Sequence, residues 1–269
     1  EKRDGKTVHK MTMDVQELDR EIAPGLDVKA WTFNGSYMGP VLHGKLGDVF
    51  EITLENNGSM GHSLDFHAGM VSPDNTMKTI APGEKLTYRF EATGSGIWLY
   101  HCSTAPMSLH MAAGMYGAVI IDPPDLEPVD HEYVMVQNET YLTDTGQTAA
   151  DGNKLAEVSS DGIAAGTPSL TMFNGHATQY VNQPLEAKTG ERVRIWLLAA
   201  GPSKGMSFHV VGSQFDTVYK EGGYLLRDGR DPYGETGGHS QALDLDPAQG
   251  GFVEMQFREP GTYTFVNHQ

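Results

Sequence analysis

The sequence predicts an all-β protein built as two tandem Greek-key β-sandwich domains. Three observations carry that expectation: short alternating apolar segments, turn residues between them at high density, and a pattern that runs through the chain twice. Phe50, Ile52 and Leu54 share one face of a strand, as do Leu86, Tyr88 and Phe90, with Gly, Pro and Asn between the segments. Further strands are expected at Ile97 to Tyr100, Ala118 to Ile121, Tyr133 to Val136, Val193 to Leu198, Phe252 to Phe257 and Thr262 to Val266. Helix is signalled only weakly, near Ser108 to Ala113 and in the 150s. Residues 1–30 are polar and charged, with one alternating piece around Thr7 to Val15, and are expected to form a lead-in arm with one strand and no catalytic residue.

The repeat sets the domain organisation. Phe33-Asn34-Gly35 recurs as Phe173-Asn174-Gly175, Gly47-Asp48-Val49-Phe50-Glu51-Ile52 as Gly190-Glu191-Arg192-Val193-Arg194-Ile195, and His67 finds a counterpart in His209. Near the end of each copy, Gly96-Ile-Trp-Leu-Tyr-His-Cys102 matches Gly261-Thr-Tyr-Thr-Phe-Val-Asn267. The first domain is therefore expected over 1–122 and the second over 132–269. Pro123, Pro124 and Pro128 stiffen a link at 123–131. The second copy is the longer one, and the excess is assigned to a Gly- and Asp-rich surface loop from Gly222 to Gly238.

Composition narrows the function. With 35 acidic against 19 basic residues the net charge is −16, which argues against nucleic acid and anionic membranes as partners and leaves room for a basic protein partner. No apolar run approaches the roughly 18 residues of a membrane span. A single cysteine rules out an internal disulfide. The chain begins at Glu1 without an initiator Met or signal peptide and is read as a mature or trimmed form.

That cysteine sits in Gly96 to Gly117, GIWLYHCSTAPMSLHMAAGMYG, beside His101 and shortly before His110 and Met115. Thiolate, imidazole and thioether together form a soft ligand set that suits copper cycling between Cu(I) and Cu(II). Blue-copper centres take two imidazoles, one thiolate and a weak axial ligand. Cys102, His110 and Met115 supply three, and His62, after the Asn56-Asn57-Gly58-Ser59 turn, is the natural fourth. Side chains alternate along a strand, so if Cys102 points into its sandwich, His101 points out. His62 and His67 part company by the same parity, whereas Asp65 and His67 stay together. A second site outside the core, lined by Asp65, His67 and His101, is thus expected, and it lacks a third imidazole; His209 and His268 of the second copy are the candidates. The remaining histidines, His9, His43, His131, His176 and His239, match no ligand pattern and are read as surface residues.

These residues resemble the copper-containing nitrite reductases, two-domain cupredoxin proteins, over nearly the whole chain. His62-Ser-Leu-Asp-Phe-His67, Tyr100-His101-Cys102, His110-Met-Ala-Ala-Gly-Met115, Phe208-His209-Val-Val-Gly and Val266-Asn-His268 follow that family's order, and the short Cys-to-His loop is similar to one branch of it. The resemblance implies type 1 copper on His62, Cys102, His110 and Met115, and type 2 copper on His67, His101 and His268. It further implies that the last histidine is lent by an adjacent subunit of a homotrimer. Asp65 and His209 would hold nitrite or water and deliver protons, with Val211 shaping the substrate pocket. Family members continue beyond this histidine with a tail that packs on the neighbour; Gln269 is the last residue here.

The implied activity is the dissimilatory reduction of nitrite to nitric oxide, with electrons passing from type 1 copper through Cys102 and His101 to type 2 copper. A periplasmic or extracytoplasmic setting and a small electron-donor protein, a cupredoxin or a cytochrome c, go with it. Two rival readings are a non-enzymatic copper electron carrier and a two-domain laccase-like multicopper oxidase. The second rival needs paired His-x-His motifs, which this chain does not contain.

Overall fold

A computed structural model describes residues 1–3 and 5–269. It consists mostly of strands arranged as two cupredoxin-like sandwiches in series. In the first, a large sheet runs in the order Leu142–Thr148, Lys154–Val158, Leu26–Phe33, Lys6–Ala23, Val49–Asn56, Lys85–Glu91, with Lys2–Arg3 pairing on Lys6–Ala23. It faces a smaller sheet ordered Leu42–Lys45, Tyr116–Asp122, Gly96–His101, Asp65–Phe66. In the second, the sheet Leu170–Phe173, His131–Thr140, Arg192–Gly201, Gly250–Gln256, Thr217–Lys220, Gly223–Leu226 covers a three-stranded one of Leu243–Leu245, Met206–Val210 and Phe265–Asn267.

Alternation explains the strands. Val49–Asn56 buries Phe50, Ile52 and Leu54, and its partner buries Tyr88 and Phe90. The rings of Phe50, Phe66, Tyr88, Phe90 and Tyr100 then interlock, centroids 5.1 to 6.0 Å apart, in the first core. Both copies of Phe-Asn-Gly turn the same way: Asn34 and Gly35 have φ of 60° and 78°, Asn174 and Gly175 of 54° and 79°. Consecutive positive φ values are what the Asn-Gly pair tolerates best, and a bridge closes each turn, Phe33 to Ser36 and Phe173 to His176.

The strands Gly96–His101 and Tyr116–Asp122 are apolar on both faces. Tyr100, Cys102, Val119 and Ile121 belong to the first core, whereas Ile97, Leu99, Ala118 and Ile120 pack on Val136, Trp196, Leu198 and Phe252 of the second half. Each such side chain contributes on the order of 1.5–3 kcal/mol by leaving water, so this middle layer joins the sandwiches firmly.

Several expectations change. The lead-in arm is instead structural: Lys6–Ala23 is an 18-residue strand at the heart of the first sheet, parallel to Val49–Asn56 and antiparallel to Leu26–Phe33. The sequence shows its alternation only around Thr7 to Val15; beyond that, charged residues predominate. The 150s hold a strand, Lys154–Val158, and the helix comes just after, at Ser160–Ala165, where the Ser159 hydroxyl accepts the Gly162 N–H. The hairpin Leu142–Thr148 with Lys154–Val158 lies after the Pro-rich link, yet it extends the first sheet by pairing with Leu26–Phe33. Within the expected loop from Gly222 to Gly238, Gly223–Leu226 pairs with Thr217–Lys220, and Tyr233 beyond it is 93% exposed. The weak helix near Ser108 is found at Met107–Ala112.

Candidate metal centres

Cys102 leaves the end of Gly96–His101 and donates its backbone N–H to the Met115 carbonyl, 3.1 Å, which closes the intervening loop at its base. Pro106 caps the helix Met107–Ala112, which carries His110 in its last turn, and the Met115 N–H returns to the His110 carbonyl at 3.1 Å. The helix C-terminus is tied down from outside: Tyr37 and Thr140 both donate hydroxyls to the Ala112 carbonyl, and the Trp31 N–H donates to Ala113. His62 is held by a two-way bridge with Ile80, and the Asn56 amide braces the same turn by donating to the Met60 and Ile80 carbonyls.

The result is a closed site. His62, Cys102 and Met115 are 0% exposed and His110 3%. The sulfur lies 3.9 Å from His62 Nδ1 and 3.3 Å from His110 Nδ1, and the Ser63 N–H points at it from 3.3 Å. Burial alone would push the thiol up, but hydrogen bonds from His110, His62 and Ser63 prevail and pull it down to about 5. A thiolate between two imidazole nitrogens, sealed from water with a thioether in the same core, is a donor set that fits copper.

Glu17 also reaches this site. Its Oε1 lies 3.1 Å from His62 Nε2, and the Trp31 ring packs on both histidine rings, 5.9 Å from His62 and 4.7 Å from His110. Burial disfavours the Glu17 carboxylate, but hydrogen bonds from Ser59 and His62 outweigh it and hold the group below the usual range. Neither residue was expected at a site. Glu17 lies in the stretch read as a lead-in arm and Trp31 just beyond it, and only the Glu17-to-Trp31 register of that hairpin reveals them.

The second group lies on the other face of the same strand. Asp65 pairs directly with His101, and the His67 N–H donates to the Leu99 carbonyl at 2.9 Å. The Nε2 atoms of His67 and His101 come within 3.0 Å, and Asp65 Oδ2 stands 3.7 and 3.8 Å from them. His101 Nδ1 lies 2.9 Å from the Cys102 carbonyl, which can only accept; the proton is therefore on Nδ1 and the Nε2 lone pair faces His67. Burial and the neighbouring His101 keep His67 below the ordinary histidine value, with Asp65 opposing. This pair, too, fits a metal ion.

His209 and His268 stand together elsewhere. The strand of His209 pairs with Phe265–Asn267, which His268 directly follows, and the two rings are 5.6 Å apart. His209 Nδ1 is bonded to the Gln241 carbonyl, and Val211 is 48% exposed just past the strand end. Among the described residues, the clusters that could hold a metal include neither histidine. The other clusters comprise the two above and an acidic group, Glu21, Asp27 and Asp151, which the Asn153 amide already bridges. Four of the five remaining histidines are paired with carboxylates: His9 with Asp48, His43 with Asp122, His131 with Glu191 and His176 with Glu21.

A multicopper oxidase family model matches residues 14–126. The copper-containing nitrite reductase of Alcaligenes xylosoxydans xylosoxydans is 30% identical over 267 residues, covering 91% of this chain and 76% of that protein. The chain belongs to the copper-containing nitrite reductase family. Within that family, the enzyme of Neisseria gonorrhoeae is 33% identical over 264 residues. This chain spans 64% of the Neisseria protein's length while 96% of its own is matched. The solved structure of the copper nitrite reductase from Nitrosomonas europaea superimposes with a TM-score of 0.80 at 30% identity, covering 97% of this chain and 89% of that one.

Proposed function

We propose that the chain carries out the dissimilatory reduction of nitrite in denitrification, in which nitrite, one electron and two protons give nitric oxide and water. The observation that carries this reading is the adjacency of Cys102 and His101: the last residue of the strand Gly96–His101 and the one that follows it serve two separate clusters. His62, Cys102, His110 and Met115 are the residues that would hold a type 1 ion, and His67, His101 and His268 a type 2 ion, one of each per chain. Copper held there supplies one-electron exchange in the first set and Lewis acidity toward an oxygen of nitrite in the second.

The protein's own part follows from geometry. The Cys102–His101 peptide joins the two ligand sets by covalent bonds alone, reinforced by the 2.9 Å contact from His101 Nδ1 to the Cys102 carbonyl. Asp65 Oδ2 is too far from both imidazoles for a direct hydrogen bond, so it is tied to neither ring, and Asp65 delivers one proton to an oxygen bound beside them. His209, oriented through Nδ1, offers Nε2 for the other proton, and Val211 lines the approach.

His268 is exposed beside His209, and His67 with His101 find no third imidazole in their own chain among the described residues. That arrangement supports a homotrimer in which one subunit's His209 and His268 complete the next subunit's site. No helix is long and apolar enough to cross a membrane. A periplasmic or extracytoplasmic setting, with electrons from a small cupredoxin or cytochrome c, completes the proposal. Anaerobic turnover of nitrite by the copper-loaded protein, with detection of nitric oxide and two coppers counted per chain, tests it. Oxidation of phenols by oxygen, or one copper per chain without nitrite turnover, overturns it.

A further inference from the structure

The hairpin of Lys6–Ala23 and Leu26–Phe33 sets Glu17 directly opposite Trp31, and opposite residues share a face of a sheet. That face covers His62 and His110. Trp31 meets the His62 ring edge-on and lies tilted on that of His110, while Glu17 Oε1 sits 3.1 Å from His62 Nε2.

The pairing decides which His62 nitrogen is free. Nδ1 is the atom turned toward the sulfur of Cys102, so with copper held between them Nδ1 would give its lone pair to the metal and Nε2 would carry the ring's proton. An ionised carboxylate is the partner that enforces this, because it accepts and never donates. Glu17 is itself immobilised. The Ser59 and Met60 N–H groups reach Oε1 at 2.8 and 3.3 Å, and the Ser59 hydroxyl reaches Oε2 at 2.5 Å. Those donors come from the turn that leads into His62, so the carboxylate fastens both the ring and the backbone that carries it.

We propose that Glu17 is a positioning residue of the buried thiolate centre: it fixes the tautomer and angle of His62, and its negative charge favours Cu(II) over Cu(I). The inference rests on the reading that His62, Cys102 and His110 hold copper. A carboxylate on the far nitrogen of a ligating histidine raises the ring's donor strength and stabilises the more positive metal state. The reduction potential of the centre is thereby held down.

The test uses the full chain loaded with copper, reading the visible absorption of the oxidised centre during redox titration. The wild type must first bind copper with that band; its absence refutes the copper reading itself, separately from any role of Glu17. Glu17→Gln, which keeps the shape and removes the charge, is expected to shift the Cu(I) to Cu(II) ratio at fixed applied potential at least tenfold toward Cu(I). For a one-electron couple that is about 59 mV upward. Glu17→Asp, which keeps the charge, is expected to shift less. A coloured Glu17→Gln protein whose ratio stays within threefold of wild type overturns the proposal. A second measurement needs no variant. In nitrogen-15 spectra of the wild-type Cu(I) form, His62 is expected to show a slowly exchanging proton on Nε2, and a proton absent or freely exchanging there overturns it equally.

Discussion

The Nε2 atoms of His67 and His101 stand 3.0 Å apart, bridged by one proton that belongs to His67, since His101 spends its own on the Cys102 carbonyl. Acid must break this contact. The His67 value is depressed by burial and by His101, so as pH falls the unfolded chain takes up its proton first, near the ordinary value of 6.5. The metal-free protein is therefore expected to lose stability as pH drops from there toward the lower folded value. In His67→Gln that part of the slope disappears; thermal melts of both proteins across this range read it out.

His268 and Asp65 are expected to separate binding from chemistry. His268→Ala removes an exposed side chain, so stability should move by no more than about 0.5 kcal/mol and the visible colour should persist, while nitrite turnover and the second copper are lost. Asp65→Asn should retain both coppers and slow turnover by roughly 10²–10⁴-fold. Copper analysis beside nitric oxide detection distinguishes the two outcomes.

Leu99 is 1% exposed and packs in the layer between the sandwiches, one residue from Tyr100 in the first core. Leu99→Ala should cost about 2–5 kcal/mol in denaturant unfolding, through lost burial and the cavity left behind.

Arg194 is 2% exposed, and its side chain makes a 2.7 Å ion pair with Glu254, which also accepts from Arg192. Glu254→Ala leaves a buried guanidinium without its main counter-charge and should cost about 3–5 kcal/mol in the same experiment. The thiolate centre lies in the other sandwich, so colour in the folded fraction should be unchanged.

Much of the site was legible because copper chemistry uses few residue types, and strand parity separates neighbours cleanly. Cys102 with Tyr100 in one core and His101 with Leu99 on the opposite face follow from period two alone. Glu17 was not legible: it lies 45 residues from His62, carries no motif, and reaches it only through a sheet register that is a long-range property. The hairpin at 142–158 was missed for a related reason. Its strands are largely exposed and polar, with only Leu155 and Ala156 well buried, so they lack the apolar alternation that marks their neighbours.

The same hairpin has a consequence for engineering. Residues 154–156 cover the outer flank of Leu26–Phe33, so a fragment ending at the Pro-rich link would expose unpaired N–H and C=O groups there. Bare flanks of that kind recruit other chains. Cutting the chain at the link would therefore strip the first sandwich of its outer ribbon, so the two halves are expected to be expressed well only as one unit.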